Sequence, residues 1–361
     1  MACWTLSLDG GPTLPNQAAT TLGRRVYSFG DYFAPTTDDN TMRIFGIHVL
    51  NIDSYRWRQI VILNDNDLGF PATLLERIQQ SSLSSSVPQP NNIMLSLGEA
   101  PSRRAGHTVV TYEGKIYLWG GYKRALPLSS TMYCFDPEKR TWSKVPCKGE
   151  MAPGRTKHTA VVYNDMMIVY GGLASDLSLP RSVQAYHFKE RKWCETEVKG
   201  EIPTGRQLHT ACVIGKKMYV FGGRSYAMHE LQMDVLNFET GCWEKPTVTG
   251  DIPAGRENHC TWVYRDRMYI FGGYQRKDDL HLNTLYEFDP AESKWRRVIP
   301  FGFKNPIRRQ RQKAVVIGDR VFLSGGTTPS SPCEPNVLDC ISDLHVLNYG
   351  LQTILLILDI S

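Results

Sequence analysis

From about residue 105 to residue 349 apolar and polar positions alternate in short runs, broken every few residues by Gly, Asp, Asn or Thr. One stretch reads "HTACVIG", "KKMYVFGG", "QMDVLNFE" and "CWEKPTV" in succession. Alternation of period two over five to eight residues predicts half-buried β-strands. The tips between the first two strands of each group are short ("EG", "ND", "GK", "RD", "GD"), as tight hairpins require. Each group therefore predicts an antiparallel meander of four strands.

The groups recur. Gly-Gly pairs begin at Gly120, Gly171, Gly222, Gly272 and Gly325, spaced 51, 51, 50 and 53 residues apart, and a degraded copy begins at Gly30, followed by Asp31. Thirteen residues before each anchor stands His107, His158, His209 or His259, with Gln17 and Gln312 in the other two copies. A Trp follows each third strand at 57, 142, 193, 243 and 295, but the sixth copy has none. The missing strand is "CWTLSLDGG" at the start of the chain. Its Trp4 is followed seven residues later by Gly11, as Trp142, Trp193 and Trp243 are by Gly149, Gly200 and Gly250. Six four-stranded units at a period near 50 predict an all-β, six-bladed β-propeller over 1–349, closed by the N-terminal strand. Closure leaves no unpaired sheet edge between first and last blades. The spacing of 90 between Gly30 and Gly120 leaves room for an insert at about 60–98, read as a short helix at "ATLLERIQ" and then a flexible Ser/Pro/Asn tract.

Composition narrows the class. A hydrophobic fraction of 42% and charged fraction of 21% fit a globular chain, and a net charge of +5 suits an anionic partner without pointing to nucleic acid. The nine cysteines are scattered with no CxxC, which reads as reduced thiols of cytosol or nucleus. The N-terminus lacks the pattern of a secretory signal. The apolar tail "LQTILLILDIS" is shorter than the roughly 20 residues needed to span a bilayer, so no membrane association is expected.

Chemistry is sparse. The Gly-Gly pairs lack a following GxGxxG or GKS and read as backbone geometry at strand ends. The periodic Trp residues read as packing between blades. The periodic His residues fall one to a blade and read as repeat architecture, so no metal or cofactor is expected. No nucleophile–base or paired-carboxylate arrangement is legible, and the protein is expected not to be an enzyme. Basic residues, by contrast, gather where the longer loops emerge. Arg104, Arg155, Arg206, Arg256 and Arg309 each stand three residues before the His or Gln position, and Lys123, Arg124, Lys157, Arg224, Arg276, Arg311 and Lys313 add to the rim, with Tyr122, Tyr226 and Tyr274 interleaved. Two readings stand open for the Arg series: repeat architecture, or a ring of cations over a funnel that draws in a carboxylate. Arg224 differs, because the other copies carry Tyr32, Tyr122, Leu173, Tyr274 and Thr327 at its position.

The His, "YVFGG" and Trp pattern resembles the kelch repeat, over nearly the whole chain. "NQAATTLGRRVYSFGDY", "MYVFGGR", "MYIFGGY" and "SGGTTPSSP" resemble a subgroup whose members serve as substrate receptors of a cullin-2 RING ubiquitin ligase. The resemblance implies a module that holds the C-terminal end of a partner protein, with elongin B/C and cullin-2 recruited through a segment after the last blade. Carried over, Arg224 matches the subgroup's carboxylate-binding Arg. His229 replaces a second Arg, and Glu257 replaces a Ser and is expected to repel a carboxylate. Asn258, Tyr274, Lys157, Gln207 and Tyr122 complete the expected peptide site. In the tail, Leu351 and Leu355 stand where the elongin-binding helix begins, read either as a degenerate elongin contact or as only an apolar strand end or a truncated isoform. The alternative is a kelch scaffold that binds actin or chromatin through broad surfaces.

Overall fold

The alternating segments form strands because each turn residue between them accepts the left-handed conformation that a tight hairpin demands. Gly23, Gly114, Asn164, Gly215, Asp266 and Gly318 at the six first-hairpin tips all have φ between 51° and 73°. In the computed structural model, residues 2–8, 11–12, 17–34, 42–62, 93–122, 128–227, 232–302, 305–331 and 334–350 are described, and among them every regular element is a strand. The strands build a six-bladed propeller. Innermost in each blade lie Ala18–Leu22, Ala105–Tyr112, Thr159–Tyr163, Thr210–Ile214, Cys260–Tyr264 and Lys313–Ile317, which line a central channel.

The sixth blade takes its outer strand from the N-terminus. Cys3–Leu8 pairs antiparallel with Leu344–Asn348, placing Trp4 opposite Leu347. Trp4 is buried and stands edge-on to Phe271 of the fifth blade and to His345. The Gly that follows the Trp also has a part in the fold. Lys199–Gly200, Thr249–Gly250 and Phe301–Gly302 each run parallel to the outer strand of the next blade, beside Trp243, Trp295 and Trp4 respectively. The link between blades thus becomes a fifth strand of the following one.

Between the first two blades this device is enlarged, which corrects the insert boundaries read from sequence. The ends of that insert are strands: Arg56–Ile62 is the first blade's outer strand, and Ile93–Gly98 pairs parallel with it and with Thr141–Lys144 of the second blade. Ile93–Gly98 therefore joins two blades into one nine-stranded sheet, with an innermost strand at either end. The segment 63–92, including the predicted helix, lies outside the described residues, as does the tail with Leu351 and Leu355.

The blade junctions explain the repeated residues. The amide of the second anchor Gly donates to the carbonyl of the next blade's Arg, from Gly121 to Arg155, Gly172 to Arg206, Gly223 to Arg256 and Gly273 to Arg309, at 2.8–2.9 Å. The first anchor Gly makes room for the next blade's imidazole. A Cβ on Gly120 would lie 2.5 Å from His158 Cε1, and one on Gly171 2.6 Å from His209 Cε1. Three of the four His share a hydrogen bond with a Thr one blade back: His158 with Thr108 (2.8 Å), His209 with Thr159 (2.9 Å) and His259 with Thr210 (2.7 Å). Gln312 and Gln17 do the same work with an amide, donating to the carbonyls of Phe271 and Ser324. Burial drives the imidazoles toward the neutral form, with His107, His158 and His259 lowered to about 3 and His209 well below its ordinary value.

Candidate binding site at the channel mouth

One row of backbone organises the face where the longer loops emerge. Among the described residues, the one just before a His or Gln position has a positive φ in five copies: Gly106, Lys157, Leu208, Asn258 and Arg311, between 57° and 69°. Each passes an N–H to the carbonyl of the one before it: Lys157 to Gly106, Leu208 to Lys157, Asn258 to Leu208 and Arg311 to Asn258, at 2.8–3.1 Å. These hydrogen bonds run from blade to blade and form a belt around the channel mouth. Asn and Gly tolerate this conformation at little cost, whereas Lys, Leu and Arg are held in it by the surrounding bonds.

Outside the belt the preceding residue is clamped to the residue after the anchor. Gln207 and Arg224 exchange backbone hydrogen bonds of 3.0 and 2.9 Å, and Glu257 and Tyr274 exchange bonds of 3.0 and 2.8 Å. The backbone of Arg224 is therefore fixed, while its side chain remains 37% exposed. Two extra hairpins rise over this face: Tyr274–Gln275 with Leu280–His281, and Thr327–Ser331 with Glu334–Cys340.

Together they enclose a cavity of about 590 Å³ that continues into the channel. Lys157, Arg224, Arg311 and Lys313 line it, with Glu257, Asn258, Tyr122, Tyr274, Arg276 and His281. Of the expected peptide-site residues, Lys157, Arg224, Glu257, Asn258, Tyr122 and Tyr274 thus converge on one cavity. Gln207 is buried and outside the lining, where it serves as the backbone partner of Arg224. His229, Lys123 and Arg124 lie outside the described residues.

The Arg series resolves to architecture. Arg104, Arg155, Arg206, Arg256 and Arg309 are all buried, and each donates from Nη1 to the carbonyl of its own blade's first anchor Gly, at 3.1–3.4 Å. Arg206 also pairs with Asp234, and Arg309 forks onto Asp343 at 2.5 and 2.7 Å. These guanidinium groups turn into the blades rather than ringing the funnel.

The true rim cations are different. Lys157, Arg311 and Lys313 make no side-chain hydrogen bond or ion pair with the described residues, and Arg224 makes one loose ion contact, its Nε 3.7 Å from Glu257 Oε2. Glu257 is instead engaged by Arg276, whose Nη2 donates to Oε1 at 2.9 Å while its guanidinium lies over the Tyr274 ring. The expectation that Glu257 repels an incoming carboxylate therefore changes. Its charge is matched by Arg276, it is buried, and it stands beside Arg224 without engaging Arg224's donors. The field at Lys157 reports the balance. Lys157 is lowered from its ordinary value first by burial, then by the charges of Arg224 and Arg311, and Glu257 pulls the other way with the smallest effect. The mouth remains positive, and a cleft lined by one sign of charge focuses its field on a ligand of the other.

The sequence reading passed over His281 and Gln310. Gln310 holds the repeat position of Gln207 and Glu257, so superposing the copies marks it as facing the same place. His281 sits on a loop unique to the fifth blade, where no repeat signal exists.

Residues 106–326 match the family model of the KLHDC2/KLHL20/DRC7 kelch-repeats domain. The chain is 30% identical over 366 residues to kelch domain-containing protein 3 of Rattus norvegicus, covering 97% of this chain and 88% of that protein. The Homo sapiens protein of the same name is 29% identical over 364 residues, with the same coverage. Kelch domain-containing protein 1 of Homo sapiens is 26% identical over 213 residues, 52% of this chain and 51% of that protein.

Proposed function

The chain belongs to the kelch-repeat family, and from that premise we propose that its channel mouth captures the C-terminal end of a partner protein. The role is that of a non-enzymatic substrate-recognition subunit of a cullin-2 RING ubiquitin ligase, acting in cytoplasm or nucleus. The family relationship supports a protein-binding module. One observation supports the anionic ligand: Lys157, Arg224 and Arg311 come from three different blades, line one cavity, and make no side-chain hydrogen bond with the described residues, Arg224 having only its loose ion contact with Glu257. A terminal carboxylate brought among them gains charge-assisted hydrogen bonds worth roughly 1.5–3 kcal/mol each. Recruitment of elongin B/C and cullin-2 through Leu351 and Leu355 is a separable half of the proposal, resting on the subgroup resemblance alone.

Binding of the purified protein to a library of peptides with free-acid or amidated C-termini, alongside Arg224→Ala, tests the recognition half. Free acids are expected to bind, and amidation or Arg224→Ala to weaken them at least tenfold. Binding indifferent to amidation would overturn the reading in favour of a scaffold that uses broad surfaces. Copurification of elongin B/C with the full chain, lost in Leu351→Ala/Leu355→Ala, tests the recruitment half.

A further inference from the structure

Beside the rim cations runs a chain of side-chain amides. Asn258 Nδ2 donates to Gln310 Oε1 at 2.8 Å, and Gln310 Nε2 meets His281 Nε2 at 2.9 Å. The structure runs this chain in one direction, with the Gln310 amide nitrogen toward His281 and its oxygen toward Asn258. An amide nitrogen only donates, so His281 Nε2 is the acceptor and its proton resides on Nδ1. With the Gln310 oxygen facing it, Asn258 turns its nitrogen toward Gln310. The atom of Asn258 left over is Oδ1, which accepts no hydrogen bond from the described residues. The backbone of Asn258 is held in the belt by bonds on both sides, to Leu208 and from Arg311, and its side chain is held by the bond to Gln310. His281 is buried and packed by the Tyr274 ring at 5.1 Å, and Gln310 is buried, so the far end of the chain is fixed as well.

The cavity thus places one oriented acceptor among cations. A bare anion that carries no hydrogen, such as chloride, has no use for it. A peptide C-terminus does, since its last amide nitrogen lies two bonds from the carboxylate carbon. We propose that Asn258 Oδ1 accepts the N–H of the ligand's last peptide bond while the rim cations take its carboxylate, with Gln310 and His281 acting as positioning residues that fix the orientation of Asn258. This rests on the carboxylate reading above and adds a recognition element to it: the site reads a backbone terminus, not merely a negative charge, and discriminates against an aspartate or glutamate side chain.

The test uses the tightest free-acid peptide from the library and the same peptide with an ester oxygen in place of its last amide N–H. Wild-type protein is expected to bind the amide roughly 3- to 10-fold more tightly than the ester, the range for one hydrogen bond. Asn258→Ala is expected to bring that ratio to about one. Gln310→Ala, which releases the Asn258 amide, should lower the ratio as well, whereas Gln310→Glu, which keeps an oxygen facing Asn258 Nδ2, should retain it even if its added charge weakens both peptides. Equal binding of amide and ester by wild-type protein, or a ratio unchanged in Asn258→Ala, overturns the inference while leaving the carboxylate reading intact. Failure of every free-acid peptide to bind overturns both.

Discussion

The imidazoles between the blades make the ring sensitive to acid, by an amount that follows from their burial. His107, His158 and His259 have values near 3 in the folded protein against about 6.5 when unfolded, His209 lies well below 6.5, and His48 is lowered to about 4 by burial. A histidine depressed in this way leaves stability intact above pH 6.5. Between its unfolded and folded values the unfolded chain binds the extra proton, so stability falls as pH falls. From pH 7.5 to 5.5 each of His107, His158, His259 and His48 loses about 1.4 kcal/mol, or about 5–6 kcal/mol together, and His209 adds a loss of the same sign. Domains are commonly stable by only about 5–15 kcal/mol, so this is a large share. Asp343, held to about 2 by Arg309 and His345 against the effect of its burial, loses its contribution only below about pH 4 and does not enter this window. Urea unfolding at the two pH values measures the sum. His158→Gln isolates one member, since Gln312 and Gln17 already fill the equivalent place with an uncharged amide. The variant should lose about 1.4 kcal/mol less than wild type over that range. Equal midpoints at pH 7.5 and 5.5, or an unchanged pH dependence in His158→Gln, would refute the reasoning.

Two further outcomes follow from the junctions. Trp4→Ala removes a buried indole from the blade that closes the ring and should cost about 3–5 kcal/mol, read as a lower urea midpoint with peptide binding retained below it. Gly222→Ala places a Cβ against the Arg256 carbonyl and 2.9 Å from His259 Cε1 at a φ of 67°; it should cost at least about 1–3 kcal/mol from conformation alone, measured by thermal unfolding.

The fold was legible because its junction residues repeat. Gly-Gly, His and Trp recur at fixed spacing, and the absent sixth Trp pointed to Trp4. What each residue does was not legible, since the first anchor Gly exists to admit an imidazole 37 or 38 residues further on, in the next blade. The Arg series shows the limit most plainly. Spacing placed these residues at the strand mouth, but only the fold shows Arg309 turned inward onto Gly325 and Asp343, while Arg311, two residues later, faces the cavity. Sequence marked Arg224 as a site residue by its departure from the other copies, and Lys157 as one of the basic residues of the rim. It gave no sign of the amide chain from Asn258 to His281, which unites residues from two blades and a loop that occurs once.

The N-terminal strand carries a cost in time. Thr5 and Val346, joined across the closing blade, are 341 residues apart. At about 5–20 residues per second, a ribosome takes roughly 20–70 s to deliver the partner strand after Cys3–Leu8 has emerged. Throughout that interval the growing chain holds an outer strand with no blade to complete, and the ring lacks its last sector. Protection of Trp4 should therefore be among the last signals to appear during synthesis, long after the second and third blades have packed.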